Sequence, residues 1–391
     1  MIKYGRGDGM NAKNKYPLVF VHGMFGWGSE IGIDKIAPYW GATTGNLMKH
    51  LAGCGYECYA ASVGPVSSAW DNACELYAQL TGTRVDYGKA HSLKHNHERF
   101  GRRYRKPLLE GFGKRKIHLI GHSHGGQVIR LLAHLLTYGD EAEKEVTHEA
   151  EISGLFTGGK EDWAASIVSL CTPNNGTSLY DIAEKANIIH PVGRTVDFVM
   201  CVVGRTAIHG RWVDYQLEQY GLTPLRGEKK ADKIFDAIKK IDSGDDHILA
   251  DLSFKGAYEL NRKIEISPKI NYFCYTASGT VGEKYKTKNI KLPPLKPLSM
   301  IMARHKLPDD CFGLSFDDSW RENDGLVNTV SGRNPIDEPA KEYDGIVEAG
   351  KWNIMPTLTC DHGGAAGLLA NKKELHEFYE NLAEMLVKTE N

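Results

Sequence analysis

The serine at position 123 stands in a sequence pattern that is typical of a catalytic nucleophile. An apolar stretch beginning at Ile117 runs into a Gly-x-Ser-x-Gly motif centred on Ser123, and an amphipathic segment follows the motif at once. This is the pattern of a nucleophile elbow, a sharp turn between a strand and a helix that exposes the serine hydroxyl. The glycines leave room for the backbone that crosses the turn. The motif predicts that Ser123 Oγ attacks an acyl carbon.

A serine hydroxyl is a weak nucleophile, so the motif requires a histidine base and a carboxylate that orients this base. In the elbow architecture the acid and then the histidine follow the serine along the chain. The C-terminal third offers Asp324, in an Asp-Gly turn, and His362, where an extended run meets a glycine-rich loop. Order alone leaves both assignments open, because the chain has 16 histidines. The competing aspartates are Asp317, Asp318 and Asp361.

Two histidines flank the serine directly, and either could be mistaken for the base. The side chains of His122 and His124 belong to neighbours on a tight turn, so they point away from the serine oxygen. We expect neither to act as the base.

This chemistry also requires two N–H donors for the tetrahedral oxyanion. The N–H group after the nucleophile, that of His124, is the first donor. The second comes from a loop after an early strand, and the strand Leu18–Val21 with its His-Gly loop makes Met24 N–H the natural choice. The alternative is a plain turn at the end of a strand.

A second group of residues has the chemistry of a metal site. His91, His95 and His97 lie within seven residues of sequence, and Asp71 precedes them. Imidazole nitrogens together with a carboxylate oxygen suit zinc. Their spacing does not identify which histidines bind, and a polar exposed loop is the alternative.

Composition favours a large core and excludes some partners. The chain has 391 residues, of which 41% are hydrophobic, and 48 basic residues balance 49 acidic ones. Nothing in this charge points to nucleic acid or to an anionic membrane surface. We find no transmembrane segment, and no signal peptide at the start of the sequence. The eight cysteines show no framework spacing, and we expect Cys54 and Cys58 to be free.

The elements that must position these residues alternate in the manner of an α/β protein. The predicted strands are Leu18–Val21, Tyr56–Val63, Ile117–Ile120, Ala165–Leu170 and Ile270–Tyr275. The predicted helices are Thr44–Leu51, Ser68–Leu80, Gln127–Leu136 and Lys372–Leu386. No linker or repeat divides the chain, so we predict one domain over residues 1–391 with insertions. The apolar run Val196–Val203 is too short to cross a membrane, and a buried core helix is its simplest interpretation.

The chain resembles the bacterial true lipases of family I.5, the zinc-containing thermoalkalophilic bacillus-type and staphylococcal lipases. The resemblance extends from about Tyr16 to the last helix and is carried by the elbow and by several other stretches. These stretches are Val21–Gly28, Val63–Asp71, Val85–Gly88, Thr172–Thr177, Glu322–Asn328 and Asp361-His362. The resemblance implies an α/β-hydrolase fold, in which helices flank a mostly parallel central sheet. It also implies a small zinc-binding insert at about 65–100 and a helical lid at about 180–222 that would contain the apolar run.

The same resemblance implies roles for individual residues. The implied triad is Ser123, Asp324 and His362, and the implied oxyanion hole is formed by the N–H groups of Met24 and His124. The family commonly has glutamine after the nucleophile where this chain has His124, but a main-chain donor is unaffected by that change. The implied metal ligands are Asp71, His91, His97 and Asp246, with Asp245 as the alternative after a one-residue slip.

Four protein ligands would fill a tetrahedral zinc ion and leave no position for water, so the implied zinc is structural. We expect no calcium ion at the family's calcium position, because the stretch after His362 lacks side-chain oxygens.

The sequence therefore predicts a serine ester hydrolase of the lipase type, which cleaves triacylglycerols and other acyl esters, including bulky or polymeric ones. A broad short-chain carboxylesterase is the alternative. Two rivals from other classes are a zinc hydrolase, in which the metal activates water, and a non-catalytic lipid-binding protein. The expected partner is a lipid or ester substrate, with a lipid–water interface included. The resemblance implies secretion, and a cytoplasmic location stays open.

Overall fold

The structure is a computed structural model that describes residues 12–187, 216–221, 244–282, 284–308 and 310–390. Its strands are β1 (Leu18–Val21), β2 (Cys58–Ala61), β3 (Arg84–Asp86), β4 (Phe100–Arg103), β5 (Ile117–His122), β6 (Ala164–Leu170), β7 (Asn271–Tyr275), β8 (Asp310–Cys311), β9 (Leu314–Ser315), β10 (Ala340–Glu342) and β11 (Trp352–Ile354).

Helices separate most of these strands. They are α1 (Leu47–Gly53), α2 (Ala69–Thr81), α3 (Lys89–His95), α4 (His124–Tyr138), α5 (Glu141–Val146), α6 (Ser178–Lys185), α7 (Ile248–Leu252), α8 (Phe254–Lys263), α9 (Leu295–Met302) and α10 (Lys372–Lys388). Short 3₁₀ helices cover Gly32–Lys35, Glu161–Trp163, Glu218–Tyr220, Asp318–Arg321, Thr329–Gly332 and Gly364–Ala366.

A seven-stranded sheet passes through the centre in the order β10-β11-β7-β6-β5-β1-β2. All of its strand pairs are parallel. The five predicted strands form its centre and one edge, which confirms the predicted parallel α/β sheet. Parallel strands place their carboxyl ends at one edge of the sheet, and ligands bind in α/β proteins at that edge.

The sheet carries a hydrophobic core on each face. Successive side chains of a strand point to opposite faces, and β1 shows this directly. Leu18 and Phe20 pack with α1 and α10 on one face, whereas Val19 and Val21 pack with α2 and α4 on the other. These four side chains are at most 1% exposed. Each such burial stabilises the fold by about 1.5–3 kcal/mol, so the strand that precedes the predicted oxyanion loop is held firmly.

The segment predicted as a zinc-binding insert contains α2, β3 and α3 and ends where β4, the antiparallel partner of β3, begins. The Ser68 side chain caps α2 by accepting the Asp71 N–H. Asn96 ends α3 in the left-handed conformation, with φ 54°, and so turns the chain between His95 and His97. β2 is shorter than the predicted strand Tyr56–Val63, because the apolar pattern continues past its last hydrogen bond, whereas α4 extends beyond the predicted helix Gln127–Leu136 at both ends.

The predicted lid at about 180–222 falls largely outside the described residues, and the apolar run Val196–Val203 lies wholly outside them. Within the described ranges, no helix combines the length and the apolar character needed to cross a bilayer. Cys54 and Cys58 are both free, as expected.

Candidate active site and metal centre

Ser123 lies at the junction between β5 and α4, which is the strand–turn–helix context that its motif requires. Its backbone has φ 57° and ψ −131°, a conformation that costs a non-glycine residue about 1–3 kcal/mol. The turn is tight, since a Cβ on Gly121 would lie 2.4 Å from the carbonyl oxygen of Gly125. The Ser123 N–H donates to Leu170 O at 2.8 Å, which ties the turn to the neighbouring strand β6.

An aspartate and a histidine from two C-terminal loops form a buried pair. His362 Nδ1 lies 2.7 Å from Asp324 Oδ2, and the His362 N–H donates to Asp324 O at 3.0 Å. The other carboxylate oxygen, Asp324 Oδ1, accepts the N–H groups of Leu326 and Val327. These bonds fix the orientation of the carboxylate, so Nδ1 of His362 carries its proton and Nε2 is left to act as a base.

The competing aspartates are engaged elsewhere. The carboxylate of Asp361 accepts three backbone N–H groups, from Gly364, Lys291 and Leu292. Asp317 caps a 3₁₀ helix through Ser319 N–H. The structure therefore brings Asp324, and none of these alternatives, to His362.

The side chain of His122 joins the elbow to the loop that carries His362. Its Nε2–H donates to His362 O at 2.9 Å, and the two ring centroids are 4.8 Å apart. Its Nδ1 accepts the Tyr39 hydroxyl at 2.7 Å. Both ring nitrogens are thus occupied, and burial lowers the His122 pKa well below its usual value. In the described residues no hydrogen bond joins Ser123 Oγ to His362 Nε2, a contact that often tightens only when substrate binds.

The loop after β1 lies directly against the nucleophile. A Cβ on Gly23 would stand 2.6 Å from Ser123 Cβ, so only glycine permits this approach. The loop turns back through the Gly26 N–H, which donates to Gly23 O at 3.0 Å. Neither Met24 N–H nor His124 N–H donates to an acceptor among the described residues. Both donors are therefore available beside Ser123.

Two side chains that the sequence did not single out, the buried His22 and the half-buried Tyr39, support this loop. His22 Nδ1–H donates to Gly23 O at 2.9 Å, and its Nε2 accepts the Val63 N–H at 3.2 Å. Burial lowers the His22 pKa to about 4, so the ring stays neutral and keeps one donor and one acceptor. The Gly23 N–H donates to Tyr39 Oη at 3.1 Å. Tyr39 and His122 thus connect the loop after β1 to the backbone of His362.

Three ligand-type side chains of the predicted insert converge with a fourth, Asp246, from further along the chain. His91 Nε2 lies 3.2 Å from Asp246 Oδ2 and 3.4 Å from Asp71 Oδ1. His97 Nε2 lies 3.2 Å from Asp246 Oδ2 and 3.9 Å from Asp71 Oδ1. Ligand atoms around a tetrahedral zinc ion stand roughly 3.3 Å apart, given bonds of about 2 Å. The four side chains therefore form a possible metal-binding group.

Two orphaned polar atoms show that a cation suits this group. Asp71 Oδ1 and His97 Nε2 are buried without a hydrogen-bond partner in the part of the chain that the structure describes. Burial, together with the neighbouring Asp246, raises the pKa of Asp71. A divalent ion would satisfy both atoms and offset the repulsion between the carboxylates. His95 and Asp245 pair with each other at 3.3 Å instead, which leaves Asp246 in the group.

Neighbouring side chains orient the ligands. Gln219 Nε2 donates to Asp71 Oδ2 at 2.8 Å, and His97 Nδ1–H donates to its neighbour's carbonyl oxygen at 3.0 Å, so Nε2 faces the site. The Trp70 ring stacks on His91 with centroids 5.0 Å apart. Its indole N–H donates to Tyr87 O at 2.7 Å. Such outer contacts fix the tautomer and direction of metal ligands.

One carboxylate joins the metal group to the elbow. Asp251 Oδ2 accepts the Ala69 N–H at 2.6 Å and lies 3.0 Å from His124 Nε2. Ala69 begins α2, which carries Asp71, and Asp251 follows Asp246 by five residues. The histidine that replaces the family's usual glutamine thus has a defined partner.

Comparisons with known proteins find a matching family and similar chains over nearly the whole length of this one. A family model described as "Lipase-like, C-terminal domain" matches residues 14–391. A lipase of Staphylococcus hyicus is 37% identical over 97% of the chain, and the chain spans 59% of that protein's length. The crystal structure of S. hyicus lipase matches with a TM-score of 0.82 at 32% identity, covering 99% of both chains. EstA from Clostridium botulinum matches with a TM-score of 0.78 at 34% identity, covering 97% of this chain and 88% of EstA.

Proposed function

The chain belongs to the family of lipase-like C-terminal domains, and on this premise we propose that it is a serine-dependent carboxylic ester hydrolase of the lipase type. The observation that carries the proposal is the buried pair of His362 and Asp324, whose side chains are held 2.7 Å apart. The His362 carbonyl oxygen binds the side chain of His122, the residue before Ser123 in the strained elbow. A non-catalytic lipid-binding protein would not need this pair or this strain.

The proposed reaction proceeds in two steps. Ser123 Oγ attacks the ester carbonyl carbon while His362 Nε2 takes the hydroxyl proton, and the N–H groups of Met24 and His124 stabilise the oxyanion. The alcohol leaves with the proton from His362, and an acyl-enzyme remains. Water then attacks the acyl carbon while His362 takes a proton from it. His362 returns this proton to Ser123 Oγ as the bond to the acyl carbon breaks and the acid is released. Asp324 holds the tautomer of His362 and stabilises the imidazolium in both steps.

We propose that the substrates are triacylglycerols and other acyl esters, with bulky or polymeric esters included. The named relatives are lipases, which supports this class of substrate. A short-chain carboxylesterase is the second candidate, because the same catalytic residues serve both substrate classes. We further propose that the protein acts outside the cell, where such water-insoluble substrates are met. Fractionation of the producing cells tests this location.

We propose that the metal is a structural zinc ion bound by Asp71, His91, His97 and Asp246. Two imidazoles and two carboxylates suit zinc, and four protein ligands leave no position for a reactive water. The bound ion would join α2 and the end of α3 to the segment before α7. Zinc is therefore proposed to stabilise the fold around the elbow and to take no part in the bond-breaking steps.

The test combines labelling with a substrate profile. A fluorophosphonate probe should label Ser123 in the wild type, as mass spectrometry of peptides would show, and Ser123→Ala should lose about a million-fold in turnover. Rates over esters of increasing acyl length distinguish a lipase from a carboxylesterase. Turnover that continues without a Ser123 adduct, and that stops on chelation, would support the zinc hydrolase instead.

A further inference from the structure

A second cluster of ligand-type side chains lies where α1 packs against α10, on the opposite face of the sheet from α2 and α4. His50 lies in α1, and Cys54 follows it by four residues at the C-cap of that helix. His376 and Glu380 have the same four-residue spacing in α10. Residues four apart share one face of a helix, so each helix presents two metal-binding side chains to the other.

The ligand atoms of this cluster lie close together. His50 Nε2 is 2.7 Å from Glu380 Oε1 and 3.8 Å from Cys54 Sγ. The three atoms all lie within 4.8 Å of one another. The His376 ring stacks on the His50 ring with centroids 3.7 Å apart, and His376 Nε2 is buried without a hydrogen-bond partner in the described residues.

We propose that His50, Cys54 and Glu380 form a second metal site, for a divalent transition-metal ion that accepts sulfur and nitrogen ligands together. Zinc is the first candidate, because it binds thiolate, imidazole and carboxylate in one tetrahedral set. On binding, the Cys54 thiol proton leaves to solvent and the thiolate becomes the ligand. Water or His376 would complete the coordination.

A simple ion pair does not account for the whole cluster. An ion pair between His50 and Glu380 explains their short contact but gives no role to the neighbouring thiol or to the unpaired nitrogen of His376. The side chains of His50 and Glu380 are 26% and 39% exposed, so an ion could enter from solvent. A bound ion would join two helices whose ligands are 330 residues apart in the sequence.

The two metal sites differ in one ligand type, and this difference gives the test. The site at Asp71 has no sulfur ligand, whereas the proposed site has Cys54. Chelator-treated protein would be loaded with cobalt, and the cobalt–thiolate charge-transfer absorption would be measured together with the metal content. We expect two equivalents of metal and a thiolate band in the wild type. Cys54→Ser should lose the band and one equivalent.

Cys311→Ser is the matched control, because Cys311 is also free and only partly buried. It should keep both the band and two equivalents. Glu380→Gln should weaken binding at the second site about tenfold or more while leaving the first equivalent in place. A wild-type protein with one equivalent and no thiolate band, or a band that survives Cys54→Ser, would overturn the proposal.

Discussion

Replacing Asp324 by asparagine should greatly reduce kcat, because it changes which ring nitrogen of His362 carries the proton. Asp324 Oδ1 accepts the N–H groups of Leu326 and Val327, at 2.9 and 2.8 Å, while Oδ2 faces His362 Nδ1 at 2.7 Å. An asparagine would keep its oxygen on the two N–H donors, so its NH₂ group would face Nδ1. Nδ1 must then accept, and the proton moves to Nε2. A protonated Nε2 cannot take the proton of Ser123.

The expected loss is about 10⁴-fold in kcat, the effect that the same change has in a serine protease triad. This corresponds to about 5.5 kcal/mol in the activation barrier. KM should change little, because the carboxylate does not touch the substrate. Initial rates with a soluble short-chain ester separate kcat from KM, and circular dichroism with a thermal melt checks that the variant is folded.

Asp361→Asn is the matched control, since Asp361 is also buried and lies next to His362. Its carboxylate accepts backbone N–H groups, so the change should cost about 1–3 kcal/mol of stability but less than tenfold in kcat at a temperature well below melting. The assignment of Asp324 is refuted if Asp324→Asn keeps more than a tenth of wild-type kcat, or if Asp361→Asn matches its loss.

Three further predictions concern the metal, the loop support and pH. At a zinc concentration a thousandfold above Kd, zinc binding adds about 4.1 kcal/mol to the free energy of unfolding. Since the unfolding entropy of 391 residues is about 0.8 kcal/mol/K, removal of the metal should lower Tm by about 5 °C. Calorimetry measures this shift, and an unchanged Tm would contradict a stabilising zinc. Tyr39→Phe leaves the Gly23 N–H and His122 Nδ1 without their partner, which should lower the free energy of unfolding by about 1–3 kcal/mol. Because this tyrosine supports the loop beside Ser123, kcat should fall about tenfold or more with little change in KM. An equal effect on KM would indicate that the substitution disturbs the whole site. Burial lowers the pKa values of His22 and His134 from 6.5 to about 4, so between these pH values the unfolded chain binds more protons than the folded one. The contribution of these two groups to the free energy of unfolding should be complete above pH 6.5 and fall by up to about 1.4 kcal/mol per pH unit for each group towards pH 4. Urea midpoints measured over this range test the prediction, and a flat profile would contradict it.

The sequence predicts the centre of the sheet and the edge strand β2 well, and the opposite edge poorly. β1 and β6 are runs of consecutive buried residues, which read directly as strands of a parallel sheet. The edge strand β10 has three residues, two of them exposed, and pairs only with β11. No apolar pattern distinguishes such a strand from a loop, so it could not be predicted.

In the candidate site, too, residues set by local sequence could be predicted, whereas contacts between distant parts of the chain could not. Ser123 is identified by a motif of five residues, because the elbow is a local structure. The partners of His122 and His124 could not be predicted, since Tyr39 and Asp251 lie 83 and 127 residues away from them in the sequence. Only the fold brings these side chains together. Chain order and the family resemblance predict Asp324 and His362. Their separation of 38 residues in the sequence does not by itself indicate that they are in contact.

The left-handed backbone of Ser123 has a consequence for protein engineering. Glycine adopts φ 57° without penalty, so it would relieve the elbow of about 1–3 kcal/mol. Directed evolution that selected only for thermal stability would thus favour glycine at this position. The resulting protein would be more stable but would lack the nucleophile. Screens for robust variants of this chain should therefore select for turnover in every round.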